Sequence, residues 1–132
     1  MNPISLFALC LALIFPIPSK AEAVSGNDFL AACENEGDTA KEGFCIGYLI
    51  GVIEGLRYGS ALPFLATRNG EDMTETLNIA EKFLGACIPA SAEFGQHRDI
   101  AVRYIERNPE TRHLPARGQI LESLRQGFPC DQ

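Results

Sequence analysis

The sequence predicts an all-α domain, exported and stapled by disulfides, and three observations carry that expectation. Apolar residues recur at helical spacing through most of the chain, and no stretch of five or more residues alternates in the way a half-buried strand requires. Four cysteines, Cys33, Cys45, Cys87 and Cys130, remain once an N-terminal export segment is set aside. A run from Phe44 to Gly59 carries glycines at 47, 51, 55 and 59, which on a helix fall in one row along one face.

Residues 1–23 read as a signal peptide. Ile4 to Ile17 is apolar, and Ala21-Glu22-Ala23 supplies the small residues a signal peptidase reads, so cleavage is expected after Ala23. Cys10 lies inside the apolar segment and lacks a lipobox-like flank. Val24 to Gln132 is enough for one domain and too short for two. The formal charge of −6 survives cleavage, because Lys20 and Glu22 leave together. The acidic excess lies before residue 94, which argues against nucleic acid or anionic lipid as a partner and allows a basic protein.

In chain order, Ser25 with Asp28 three residues on makes a capping box for a first helix whose inward face is Phe29, Leu30 and Cys33. A polar connection from Glu34 to Glu42 leads to the glycine-row helix, expected over about Lys41 to Tyr58. Each interior glycine costs a helix roughly 1 kcal/mol relative to alanine. A close-packed neighbour can offset that, so this helix is expected to be the buried centre of the bundle. Its apolar run before Glu54 is shorter than the ~20 residues of a membrane span. Glu54 interrupts the run and reads as paired with Arg57 or Tyr58, three or four residues on. Gly59 to Pro63 is expected to end the helix, since proline disfavours helix at the residue before it.

Residues 60–72 are then the longest irregular segment, with a turn signal at Asn69-Gly70. Asp72 with Glu75 starts a third helix, with Met73, Leu77, Ala80, Phe83 and Leu84 on one face and Gly85 at its end. A fourth helix is expected from about Ala92 to Arg107, with Ile100, Ala101, Tyr104 and Ile105 inward and Arg98, Arg103 and Arg107 outward. Asn108-Pro109 stops it. Pro115 opens a fifth helix, with Ile120, Leu121, Leu124 and Phe128 as its buried stripe.

If consecutive helices run antiparallel, all four cysteines meet at one end of the bundle. Two pairings fit: Cys45–Cys87 with Cys33–Cys130, which the reading favours, or Cys33–Cys45 with Cys87–Cys130. A zinc site from Cys87, Cys130, His97 and His113 lacks knuckle spacing. No catalytic residue, cofactor-binding residue or metal ligand is assigned. His97-Arg98-Asp99 reads as a solvated helix face, and neither histidine lies in a known catalytic motif. The chain is expected not to be an enzyme.

Phe44-Cys45-x-Gly47-Tyr48-x-x-Gly51, Cys87-Ile88-Pro89, Tyr104-Ile105, Asn108-Pro109-Glu110, Arg112-His113, Pro115-Ala116 and Phe128-Pro129-Cys130 occur in that order and spacing. Together they resemble the Rap/Tai family, immunity proteins for the peptidoglycan amidase effectors of type VI secretion. The resemblance implies an all-helical, disulfide-bonded periplasmic domain, often a homodimer, that inhibits by occluding the amidase active-site groove with a protruding loop. The residues themselves point to 60–72 as that loop, with Phe64, Leu65, Arg68, Asn69, Glu71 and Asp72 as the partner-binding set; the competing reading folds Phe64 and Leu65 back as a lid on the core. The functional alternative is a periplasmic chaperone or general protein-binding module without a cognate effector.

Overall fold

The computed structural model describes residues 22–34, 37–67 and 72–130. The expected signal segment therefore lies, up to residue 21, outside the described residues. Among those described there are five α-helices and one short 3-10 turn, and no strand. The helices are α1 (Gly26–Cys33), α2 (Thr39–Thr67), α3 (Met73–Leu84), α4 (Phe94–Arg107) and α5 (Ala116–Gly127), with the 3-10 turn at Pro109–Thr111.

The entry to α1 follows its capping box. The Ser25 amide donates to Asp28 Oδ2 at 2.9 Å and the Asp28 amide to Ser25 Oγ at 3.2 Å. Hydrogen bonds from the Ser25 hydroxyl and amide hold the Asp28 carboxyl below its ordinary pKa. The first free N–H groups of the helix are satisfied from a distance: Gly26 N–H donates to the Leu114 carbonyl and Asn27 N–H to the Arg112 carbonyl, each at 3.0 Å. This docking leaves no room for a side chain, because a Cβ at Gly26 would sit 2.6 Å from Gln119 Nε2.

The turn that receives α1 is itself tied to the end of α4. Arg112 Nε donates to the Ile105 carbonyl at 3.0 Å and its Nη2 to the Glu106 carbonyl at 2.6 Å. Asn108 Nδ2 donates to the Tyr104 carbonyl at 2.7 Å. Carbonyls at a helix C-terminus have no partner within the helix, and a guanidinium is well shaped to satisfy several at once. The Asn108 to Pro115 motif is thus largely a structural clamp.

The core is assembled from α1, α2, α4 and α5. Phe29, Leu49, Ile105, Ile120 and Leu124 are its large buried members, joined by Cys33, Cys45 and Ile53. No residue of α3 belongs to this cluster, and α2 contributes nothing to it beyond Ile53. The second half of α2 and the whole of α3 instead pack on each other as a helical arm, with small buried residues, Ala61, Thr76 and Ala80, between them. Across the arm Arg57 Nε meets Glu81 Oε1 at 2.9 Å, and Arg57 also lies 3.8 Å from Glu54, which makes it, of the two partners expected for that acid, the one that pairs. Gly85, at φ 74°, ends α3 in the left-handed conformation that glycine adopts without strain.

Several expectations change. First, α2 does not stop at Gly59 to Pro63 but runs 29 residues, through Pro63, to Thr67. An internal proline costs a helix ~3 kcal/mol; here α3 packs along the same stretch and offsets the cost. So residues 60–67 are helix, not irregular loop. The longer helix is also long and apolar enough, by length and composition, to cross a membrane, contrary to the shorter run expected. Second, the glycine row is not buried. Nothing lies within 4 Å of a Cβ built at Gly47, Gly51, Gly55 or Gly59. The core uses the opposite side of α2, where Cys45, Leu49 and Ile53 face α1 and α4.

Third, the disulfides are Cys33–Cys45 and Cys87–Cys130, with Cα separations of 5.1 and 5.0 Å. The favoured alternative pairing is excluded because α1 and α2 turn back on each other directly and place Cys33 against Cys45. The Cys87–Cys130 bond removes two members of the zinc set. Fourth, α3 buries Thr76, Ala80 and Glu81, while Met73 and Phe83 of its expected inward face are exposed. With α3 packed on a single helix, only a narrow stripe of it can be covered. Finally, His97-Arg98-Asp99 is not a solvated face. The His97 ring packs edge-on against Phe128 and Arg98 Nη2 donates to the Cys33 carbonyl, leaving Asp99 alone outward.

Candidate protein-binding site

The arm built by α2 and α3 is where the predicted partner-binding residues fall. Phe64 and Leu65 lie in the last turns of α2 and are half-buried. Phe64 meets Phe83 edge-on, with ring centroids 6.1 Å apart. Neither residue joins the core cluster, so the core-lid reading fails; Phe64 belongs to the surface of the arm. Asp72 is an N-cap, its Oδ1 accepting from the Thr74 amide at 2.9 Å. Its carboxylate is exposed but already engaged with its own helix. Arg68, Asn69 and Glu71 lie outside the described residues.

The arm carries more exposed apolar surface than the sequence reading assigned to it. Phe83 is 73% exposed, Leu62 63% and Met73 46%. On α2 the exposure continues as a stripe at helical spacing: Phe44, Gly47, Gly51, Gly55, Tyr58 and Leu62, flanked by Ile50. Phe44 is further held by stacking on Tyr48. Singly exposed apolar residues are ordinary, but a contiguous run of them marks an interaction surface. The signal was present in the sequence: α2 is apolar on every side, whereas a helix that buries one face needs only one apolar stripe.

Beside α2, a groove of about 320 Å³ opens between that helix and residues 88–94. Its walls include Ile50, Ile53, Ile88 and Phe94, with Glu54, Arg57 and His97 as its polar members. His97 Nε2 is buried and has no hydrogen-bond partner among the described residues. Burial, and then the nearby Arg57 charge, hold the imidazole below its ordinary pKa. Sequence reasoning missed this groove, since the segments that meet there are distant in the chain. Among the described residues no cluster of three or more His, Cys, Asp or Glu side chains could hold a metal ion.

The fold and these surfaces define a small, disulfide-bonded helical protein with a core of four helices and a largely apolar arm. A family model of Rap1a immunity proteins matches residues 25–130. The chain belongs to that family. No curated protein and no solved structure matches it.

Proposed function

We propose that this chain is a periplasmic immunity protein that binds and inhibits a peptidoglycan amidase effector of type VI secretion by occluding its active-site groove. The family match over nearly the whole region downstream of the expected signal peptide carries the immunity reading. The arm supports the mode of action, because it offers exposed apolar side chains, Phe83, Leu62 and Met73, on an element that the core does not need. Rigid helices position such side chains at low entropic cost, and a few apolar anchors carry most of the affinity of an interface. Two disulfides keep the scaffold intact in an oxidising compartment. Inhibition is stoichiometric and leaves the substrate unchanged.

The outer stripe of α2 fits a homodimer of the kind the family resemblance implies. The row of glycines lets a second copy of the helix approach closely, with Phe44 and Tyr58 packing around the contact.

The test is binding of the mature protein to amidases encoded in the same genome, with hydrolysis of peptide stems as the readout. Phe64→Ala should weaken binding roughly thirtyfold, corresponding to a hot spot of ~2 kcal/mol. Because Phe64 lies outside the core, its thermal transition should change far less. Wild-type protein that binds none of those amidases refutes the immunity reading and favours a chaperone or general binding module, for which the same exposed apolar surface would serve.

A further inference from the structure

The seam between α4 and α5 is a second surface, edged by arginines, and nothing in the immunity reading uses it. Two clefts open along it, of about 320 and 500 Å³, separated by Tyr104, which lines both. The first is edged by Arg103 and Arg107, four residues apart on the outer face of α4, with Gln126 of α5 across from them. Arg117 at the start of α5 lines the second. None of these three arginines makes an ion pair or hydrogen bond among the described residues, in contrast to Arg57, Arg98, Arg112 and Arg125, which are all engaged. The Tyr104 hydroxyl is likewise unbonded among them. Glu122 is the single carboxylate lining either cleft, and Arg125 Nη1 holds it at 2.6 Å.

Like charges four residues apart on a helix repel by a few tenths of a kcal/mol, and although Asp99 and Glu106 lie within a turn of Arg103, no acid among the described residues forms an ion pair with Arg103 or Arg107. Guanidinium groups pair with carboxylates through two parallel hydrogen bonds. Tyrosine and arginine are also the residues over-represented where binding energy concentrates. Three free guanidinium groups around two side-chain-sized clefts with an aromatic divider match one chemistry, a peptide with carboxylates at intervals and small apolar side chains between them.

We propose that the α4–α5 seam binds an acidic peptide segment of a partner protein, with Arg103 and Arg107 holding carboxylates at one end, Arg117 at the other, and Tyr104 between. The site shares no residue with the arm.

The experiment uses the full mature protein and a fluorescein-labelled octapeptide of alternating Glu and Leu, followed by fluorescence anisotropy at several salt concentrations. Saturable binding with Kd below about 1 mM is expected, weakening with salt as charge pairs are screened. The double variant Arg103→Ala/Arg107→Ala should weaken it at least tenfold, Arg117→Ala by several-fold, and Phe64→Ala not at all. All three arginines are exposed, so the variants should melt with the parent. The proposal is overturned by absence of binding, by equal affinity for the alternating Lys and Leu peptide, by indifference to the arginine substitutions, or by loss on Phe64→Ala, which would put the peptide on the arm.

Discussion

Replacing Gly51 tests the placement of the whole α2 helix. In the single chain a Cβ at position 51 meets nothing within 4 Å, and the residue is helical, so neither space nor conformation opposes a side chain. Glycine loses more backbone freedom on folding than alanine and costs a helix interior about 1 kcal/mol. Gly51→Ala should therefore stabilise the monomer by ~1 kcal/mol, which in a domain of this size raises Tm by roughly 4–8 °C. Gly51→Leu should gain nearly as much, because leucine is almost as good a helix former. The proposed homodimer should respond oppositely, because a leucine in the middle of the glycine row would hold the second helix away. Thermal unfolding at dilute protein, where the chain is monomeric, isolates the first effect, and light scattering at high concentration reads the second. A lowered Tm for Gly51→Ala would mean that the row packs inside the fold and that α2 is turned the other way. An unchanged dimer mass for Gly51→Leu would remove this stripe as the dimer interface.

The remaining predictions concern the staples and the half-buried His97. Oxidised protein should be lighter than its reduced form by four hydrogens, and mapping should return Cys33–Cys45 and Cys87–Cys130; their loops of 12 and 43 residues correspond to ~3 and ~4 kcal/mol of chain entropy, so Cys87→Ala/Cys130→Ala should be the more damaging pair in chemical denaturation. His97 is held below its ordinary pKa, so the fold favours the neutral ring: its contribution is complete above about pH 6.5 and is lost as pH falls from there toward the lowered value, because the unfolded chain takes up the proton first. His97→Gln should flatten the dependence of Tm on pH across that window, and an undiminished slope would place the titrating group elsewhere.

Local signals in the sequence carried far. Ser25 and Asp28 announce a capping box that the structure contains, Asp72 caps α3, and Gly85 ends it in the left-handed conformation. Such features depend on residues within one turn, and the chain can satisfy them before anything else packs. Asn108 to Pro115 was legible as a break and a motif, though not as the clamp it forms through Arg112 and the docked N-terminus of α1. That role needs two segments distant in the chain to meet.

What the sequence by itself determined is the helical class, the order of elements and the family. The class and the order of elements follow from periodicity and local capping, and the family from the resemblance of the Phe44 to Cys130 motifs to known members. Tertiary structure decided which face of α2 is inside, which cysteines pair, and where Pro63 could be tolerated. A helix apolar on every side leaves its own orientation undetermined, since burying either face removes comparable area from water. The choice falls to its neighbours. Disulfide Cys33–Cys45 pins the start of α2 against α1, Leu49 and Ile53 fill the core, and α3 supports the stretch through Pro63. The glycines are then left facing outward.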